Sequence, residues 1–330
     1  MRGRRSAALC VAAGCLMLAM IPGAASLGAA AAGYPDPLPV QGDTIVHDPS
    51  MAATRDGTYI VAHTGDGLPL KTSRDRTTWH DAGVVWPDGA PWTLPYTGGA
   101  ATLWAPDISR HHGRFYLYYA ASSFGSQHSA IFLATSRTGA AGSWTNRGLV
   151  IGSDATVDYN AIDPNLLADG PGAWRLTFGS FWTGIKQIRL NPATGLPYAP
   201  DPPVRALADR ETTPPGAIEA PFVVRHDGRH YLFVSFDFCC QGAASTYRIM
   251  VGRSRAAGGP YVARDGTPML AGGGTEILAG HGAIHGPGGQ SVFAGPGGDI
   301  LVYHYYADDG TPHLGLNRLG WDAAGWPYVH

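Results

Sequence analysis

The sequence predicts an all-β, five-bladed β-propeller with its active site at one end of a central channel. Three observations carry that prediction. Five segments after residue 32 repeat one plan of turn, apolar run, turn and aromatic-rich strand. An acid recurs near the same point of four of them, at residues 48, 107, 163 and 219, in steps of 59, 56 and 56. The chain also carries 46 Gly and 26 Pro among frequent short apolar runs, which is the texture of many turns between short strands. Repeats of this length are the mark of a radial array, because one small sheet cannot bury both of its faces alone.

Composition narrows the class further. An apolar content of 45% is enough for a sizeable core, and 10% aromatics exclude a disordered or collagen-like chain. The formal net charge of −2 gives no basic surface for a nucleic acid, so none is expected as a partner.

Residues 1–32 read as a secretory signal peptide. Arg2, Arg4 and Arg5 form a basic start, an apolar stretch runs from Ala7 to Ile21, and small residues fill Gly23 to Ala32. The adjacent Arg4-Arg5 leaves general and twin-arginine export both open. The stretch is short for a membrane span, so the product is expected outside the cell and free of the membrane. Residues 33–330 then form one propeller domain, expected to be a monomer.

The repeat units follow in order. The first holds His47-Asp48-Pro49-Ser50 and Tyr59-Ile60-Val61-Ala62. The second holds Trp104-Ala105-Pro106-Asp107-Ile108 and Phe115-Tyr116-Leu117-Tyr118-Tyr119. The third holds Ala161-Ile162-Asp163-Pro164-Asn165 and Trp174-Arg175-Leu176-Thr177-Phe178. The fourth holds Ile218-Glu219-Ala220-Pro221-Phe222 and Tyr231-Leu232-Phe233-Val234. The fifth holds Gly286-Pro287-Gly288-Gly289-Gln290 and Leu301-Val302-Tyr303-His304. Trp79 and Trp144 stand late in their units and are expected in the core. Beyond the leader only Cys239 and Cys240 remain. Two cysteines cannot staple a fold of this size, and they read equally as a vicinal disulfide or as two thiols under a loop.

The acids give the chemistry. The first strand of each propeller blade lines the axis, so equivalent acids of different blades converge on one end of the channel. Asp48, Asp107, Asp163 and Glu219 were spaced for that convergence. A lone Asp before Pro is ordinarily a turn residue. Glu219 and Asp163 sit in apolar surroundings instead, where a surface role does not fit. Crowded like charges raise carboxyl pKa values, as a general acid requires. Two carboxylates roughly 6.5–9.5 Å apart can protonate a glycosidic oxygen and activate a water between them. No G-x-S-x-G, H-E-x-x-H, phosphate-loop or dinucleotide motif competes.

These residues resemble glycoside hydrolase family 43, and within it the arabinan endo-1,5-α-L-arabinosidases. The strings that carry the likeness are His47-Asp48-Pro49, Leu103-Trp104-Ala105-Pro106-Asp107-Ile108 and Tyr159-Asn160-Ala161-Ile162-Asp163-Pro164-Asn165. Phe178-Gly179-Ser180-Phe181-Trp182, Ile218-Glu219-Ala220-Pro221-Phe222 and Phe233-Val234-Ser235-Phe236-Asp237-Phe238-Cys239-Cys240 add to it. The resemblance implies an inverting hydrolase with Asp48 as general base and Glu219 as general acid. Asp163 would orient Glu219 and tune its proton affinity, and Asp107 would stand behind the site. Asn160, Ala161, Ile162 and Asp163 would border the sugar, with Ser180, Phe181 and Trp182. Asp48 would also touch it, Gly125 would let backbone approach it, and Trp104 would stack on it.

The resemblance implies no cofactor for the chemistry, though bacterial relatives often carry Gly-Pro-Gly-His, whose His helps hold an axial Ca2+. Gly289 stands in that place here, which leaves His281 and His285 as the nearby imidazoles that could serve a metal. The expected substrate is arabinan or an arabino-oligosaccharide, cut internally. An exo-acting arabinanase, an arabinofuranosidase or a β-xylosidase of the same family is the alternative, and a non-catalytic carbohydrate-binding propeller is the reading from another class.

Overall fold

The apolar runs pair into five antiparallel sheets, each made of consecutive stretches of chain. A computed structural model describes residues 33–211 and 213–330, and the expected leader at residues 1–32 lies outside them. Blade I contains β1 (Gln41–Gly42), β2 (Ser50–Ala53), β3 (Tyr59–Ala62), β4 (Pro69–Ser73) and β5 (Thr78–Val84). Blade II contains β6 (Leu103–His111), β7 (Arg114–Ser122), β8 (Ser129–Ser136) and β9 (Thr145–Ser153). Blade III contains β10 (Asn165–Ala168), β11 (Trp174–Phe178), β12 (Ile185–Leu190) and β13 (Arg205–Ala208). Blade IV contains β14 (Ile218–His226), β15 (Arg229–Phe236), β16 (Arg248–Ser254) and β17 (Thr275–Leu278). Blade V contains β18 (His285–Gly295), β19 (Gly298–Tyr306), β20 (Pro312–Trp321) and β21 (Pro327–Val329).

The ring closes through the first strand of each blade. β2 packs on β6, β6 on β10, β10 on β14, β14 on β18 and β18 back on β2. Five apolar clusters fill the five gaps, each drawing on two neighbouring blades. Phe115 and Trp144 meet Ile60 and Leu70 between blades I and II, for instance. Both faces of every sheet are thereby covered, which is what the repeat needed. Trp79 and Trp144 are buried as expected. A clasp joins the last blade to the first. Leu38 N–H donates to Leu316 O (2.7 Å), Leu314 N–H donates to Thr44 O (2.8 Å), and β1 then pairs in parallel with β5.

Polar side chains tie the inner strands to one another in sequence. Ser50 Oγ accepts from Ile108 N–H at 3.1 Å, joining blades I and II. Asp107 Oδ2 accepts from Leu166 N–H at 2.7 Å, joining II and III. Asn165 Oδ1 accepts from Val223 N–H at 2.8 Å, joining III and IV. Gln290 Nε2 donates to Ala220 O at 2.6 Å, and Ser291 Oγ donates to Pro49 O at 2.9 Å, which completes the circle.

This girdle corrects the expected register of the acids. Aligned on Pro49, Pro106, Pro164 and Pro221, with Gln290 in the fifth blade, the four acids fall at three different positions. Asp48 and Asp163 directly precede the proline, Glu219 stands two before it, and Asp107 follows it. The ladder is bulged where this happens, between Trp104 and Asp107 and between Glu219 and Phe222. A bulge re-aims neighbouring side chains. Asp107 is accordingly turned into the girdle, while the other three acids face the mouth of the channel.

Candidate active site

The residue before each proline position is left-handed in all five blades. Asp48 has φ 49°, Ala105 36°, Asp163 56°, Ala220 52° and Gly289 56°. For residues with a Cβ this costs on the order of 1 kcal/mol each. The girdle holds the five kinks in place, and the kinks aim two carboxylates into one cleft.

That cleft has a volume of about 800 Å³ and is lined by Asp48, Asp163 and Glu219 together. Blade II contributes Trp104 and residues 123–126, blade III contributes Asn160, Ile162 and residues 180–182, and blade IV contributes residues 238–241 and Tyr247. Sequence-distant acids do therefore meet. Gly125, at φ 74°, keeps its backbone open to the cleft. Trp104 packs in part on the core between blades II and III and also lines the cleft. Ala161 is the exception among the expected sugar-side residues. It is fully buried between blades II and III and does not line the cleft; its N–H donates to Ser153 Oγ.

Asp48 is held ionised. Burial opposes its charge, but His47 Nδ1 donates to Oδ2 at 2.9 Å and Thr64 Oγ1 donates to the same oxygen at 2.8 Å. These partners hold its carboxyl well below the usual range. His47 gains proton affinity in return: burial lowers it, and the Asp48 charge more than compensates. His47 Nε2 meets Tyr306 Oη at 2.9 Å. His304, which stacks on His47 with centroids 4.0 Å apart, is pushed down to about 3 by burial and by His47. It is therefore neutral, and its Nδ1 accepts the Asp48 N–H at 3.1 Å.

Glu219 is the opposite case. Burial raises its pKa to about 7; the Ser180 hydroxyl, donating to Oε2 at 2.5 Å, pulls it down, and the Asp48 charge adds to the rise. Burial, then the charges of Glu219 and Asp48, also push Asp163 well above the ordinary carboxylate range. Asp163 and Glu219 thus titrate as a pair that keeps a proton through neutral pH. Asp163 Oδ2 accepts the N–H of Ala220 at 3.0 Å, which fixes the backbone next to Glu219. One ionised and one protonated carboxyl in a shared cleft can act as base and acid across a bond.

The imidazoles expected to serve an axial metal stand elsewhere, and the ligand atoms that come together at this end of the channel are those of His47, Asp48 and His304. His281 and His285 border a separate groove near Arg248; His281 Nδ1 faces Ala279 O at 2.9 Å, and His285 Nε2 faces Asp308 at 2.8 Å. Neither lines the axial cavity: His281 lies in the turn before β18, and His285 is the first residue of that strand. The axial cavity under the acids is about 30 Å³, room for roughly one or two waters. A Cβ on Gly289 would collide with Asp48 Oδ1 and lie 2.8 Å from His304 Nδ1. The imidazole at this end of the axis is thus supplied by His304, from the next strand, and its Nδ1 lone pair is already used by Asp48 N–H. Asp107 likewise has both oxygens engaged, by Ser50 and Leu166.

Several residues of the site were not singled out from sequence. His47 lay beside Asp48 in the first string and signalled its role by adjacency alone. Thr64, His304 and Tyr306 gave no signal, since they arrive from other strands and only the ring geometry brings them in. Cys239 and Cys240 are bonded to each other and line the cleft, which settles the open reading in favour of the disulfide.

The model of glycosyl hydrolases family 43 matches residues 39–327 of the chain. The chain belongs to glycosyl hydrolase family 43. It is therefore a glycosidase, and its five-bladed ring is the one seen in solved members. A family 43 endo-arabinanase from Bacillus licheniformis superposes with a TM-score of 0.83 at 42% identity, over 88% of this chain and 99% of that one. The extracellular endo-α-(1→5)-L-arabinanase 1 of Bacillus subtilis is 39% identical over 290 residues, 86% of this chain and 87% of its own length. An extracellular exo-α-(1→5)-L-arabinofuranosidase of Cellvibrio japonicus is 37% identical over 300 residues, 86% of each chain. Family 43 members similar to this chain thus include both modes of attack.

Proposed function

We propose that the protein is a secreted arabinanase that hydrolyses α-1,5 bonds within arabinan, with inversion at the anomeric carbon. The observation that carries this reading is the pairing, in one open cleft, of an acid raised to about 7 with one held below the usual range. Glu219 gives its proton to the departing sugar oxygen. Asp48 takes a proton from the attacking water, with His47 and Thr64 fixing the carboxylate that does so. Asp163 positions Glu219 through the Ala220 N–H, while burial and the Asp48 charge keep Glu219 protonated. The names of the relatives supply the sugar.

Action inside the chain is favoured by the size of the cleft. A volume of about 800 Å³ lies toward the upper end of the range that small-molecule sites occupy. It suits several pentose units better than one chain end. The exo reading rests on the Cellvibrio relative. Early products from linear arabinan separate the two: a ladder of oligomers supports internal cleavage, and one short sugar from the first minutes overturns it.

The remaining parts of the proposal concern context. We take the chain to act as a monomer, with the three acids gathered in one cleft of a single ring. It acts outside the cell, as the leader-like residues 1–32 and the extracellular relatives suggest. No helix among the described residues is long and apolar enough to cross a membrane. Hydrolysis needs no axial Ca2+ in this reading, because the acid, the base and the groups that set their proton affinities are all protein side chains. Treatment with a chelator should leave the rate unchanged, and a loss restored by added Ca2+ would contradict this.

A further inference from the structure

The disulfide between Cys239 and Cys240 has no part in the acid–base chemistry, yet it stands in the wall of the cleft. Cys240 is exposed there, and its Sγ lies 3.7 Å from Nε2 of His47, the partner of the general base. Neighbouring side chains in an extended strand point to opposite sides. Bonding them to each other brings both sulfurs to one side, so two adjacent residues present a single apolar, polarisable surface with no strong hydrogen-bonding group. Phe238 flanks it at 37% exposure and approaches Phe181 at 6.1 Å.

The loop beneath is built to keep that surface still. Asp237 is clamped by Arg210 at 2.9 Å and Arg248 at 2.7 Å. Cys240 N–H donates to Tyr306 Oη at 2.9 Å, and Gln241 N–H donates to Ser245 Oγ at 3.0 Å. Asp237 and Cys240 are both left-handed, at φ 70° and 68°, a conformation residues with a Cβ avoid unless it is enforced. Strained backbone, fixed at several points, holds a surface that faces the substrate space.

We infer that the Cys239–Cys240 disulfide is a sugar-binding platform, which takes the C–H face of a pentose unit beside the unit being cleaved. This rests on the arabinanase reading for its ligand. A rigid platform loses little conformational freedom on binding, so it acts on affinity. Tris(2-carboxyethyl)phosphine and water convert the disulfide to two free thiols: the S–S bond breaks, water supplies the two thiol hydrogens and the oxygen of the oxide, and the phosphine is oxidised to that oxide. The thiols are then free to turn apart, and the surface is lost.

The test is steady-state hydrolysis of linear arabinan by the oxidised protein, by the phosphine-treated protein with both thiols verified by mass, and by a Cys239→Ser/Cys240→Ser double variant. Reduction and substitution should each raise KM about five- to tenfold, the loss of roughly one stacking contact, with kcat changed less than about twofold. The double variant should ignore the phosphine. An unchanged KM in the reduced protein overturns the platform. So does a fall in kcat at constant KM with a shifted acidic limb, because the loop would then act through Tyr306 and His47 on the base. If neither altered form folds, Phe238→Ala carries the test, and an unchanged KM there overturns the inference. Oxidised protein that leaves arabinan uncut overturns the arabinanase reading and this ligand with it. Cutting that is indifferent to reduction overturns the platform alone.

Discussion

At the scale of single residues, the site works by separating the proton affinities of two carboxyls. Asp48 lies low and Glu219 lies near 7, so activity requires the first ionised and the second protonated. The rate should fall as pH rises through about 7, and the acidic limb should sit below the ordinary carboxylate range. Burial and the charges of Glu219 and Asp48 keep Asp163 protonated where Glu219 titrates, so Asp163→Asn should leave the basic limb of kcat/KM in place. A pH–rate profile of that variant with the basic limb moved clearly to lower pH would contradict this order of titration. Gly289 makes a second residue-scale prediction. Its φ of 56° and the approach of Asp48 and His304 leave no room for a Cβ. Gly289→Ala should cost about 2 kcal/mol or more of stability and depress activity by displacing Asp48, readable by thermal melting and arabinan assay. Glu219 and Asp163 were legible in the sequence because apolar neighbours marked them, and Asp48 because it recurs at about the same place of its repeat. His304 was not, since nothing in Tyr303-His304-Tyr305 says which face of β19 meets the axis.

At the scale of elements, the inner strands are joined by side chains reaching for the next blade's backbone. Asp107 is the clearest case, with Ser50 on one side and Leu166 on the other. Asp107→Ala leaves the buried Leu166 N–H without a partner, at a cost of about 2 kcal/mol in denaturant unfolding. Asp107→Asn can keep both bonds if Ser50 turns its hydroxyl. Burial also pushes Asp107 up to about 6. The folded chain then holds a proton that the unfolded chain releases, so its share of stability is complete below about pH 4 and declines as pH rises to about 6. The Asn variant should lack that decline; the same pH dependence in wild type and variant would contradict it. The repeat spacing showed that inner strands exist, but it placed all four acids at one point. A bulge shifts a side chain by one or two positions without altering the spacing by more than a residue or so. That is why Asp107 and Glu219 looked equivalent in the sequence and are not in the structure. Ala161 lies within a matched string too, yet it is packed in the core between blades II and III, which the string alone does not reveal.

At the scale of the whole molecule, radial closure is what converts a linear repeat into a site. Asp48, Asp163 and Glu219 come from blades I, III and IV, and a stretch of 170 residues separates the first from the last. The period and the aromatic strands were enough to read the ring, because each blade needs two neighbours to bury its faces. The clasp that seals it was not readable, since residues 34–46 carry no pattern of their own and are fixed by pairing with β20 and β5. The central claim is that acids from different blades act as one acid–base pair. Its most direct test is the rate of arabinan hydrolysis by Asp48→Asn and Glu219→Gln, each with circular dichroism matching wild type. Both should retain the fold and lose about a thousandfold or more in kcat/KM. A folded variant of either kind that cleaves arabinan at the wild-type rate would contradict the account.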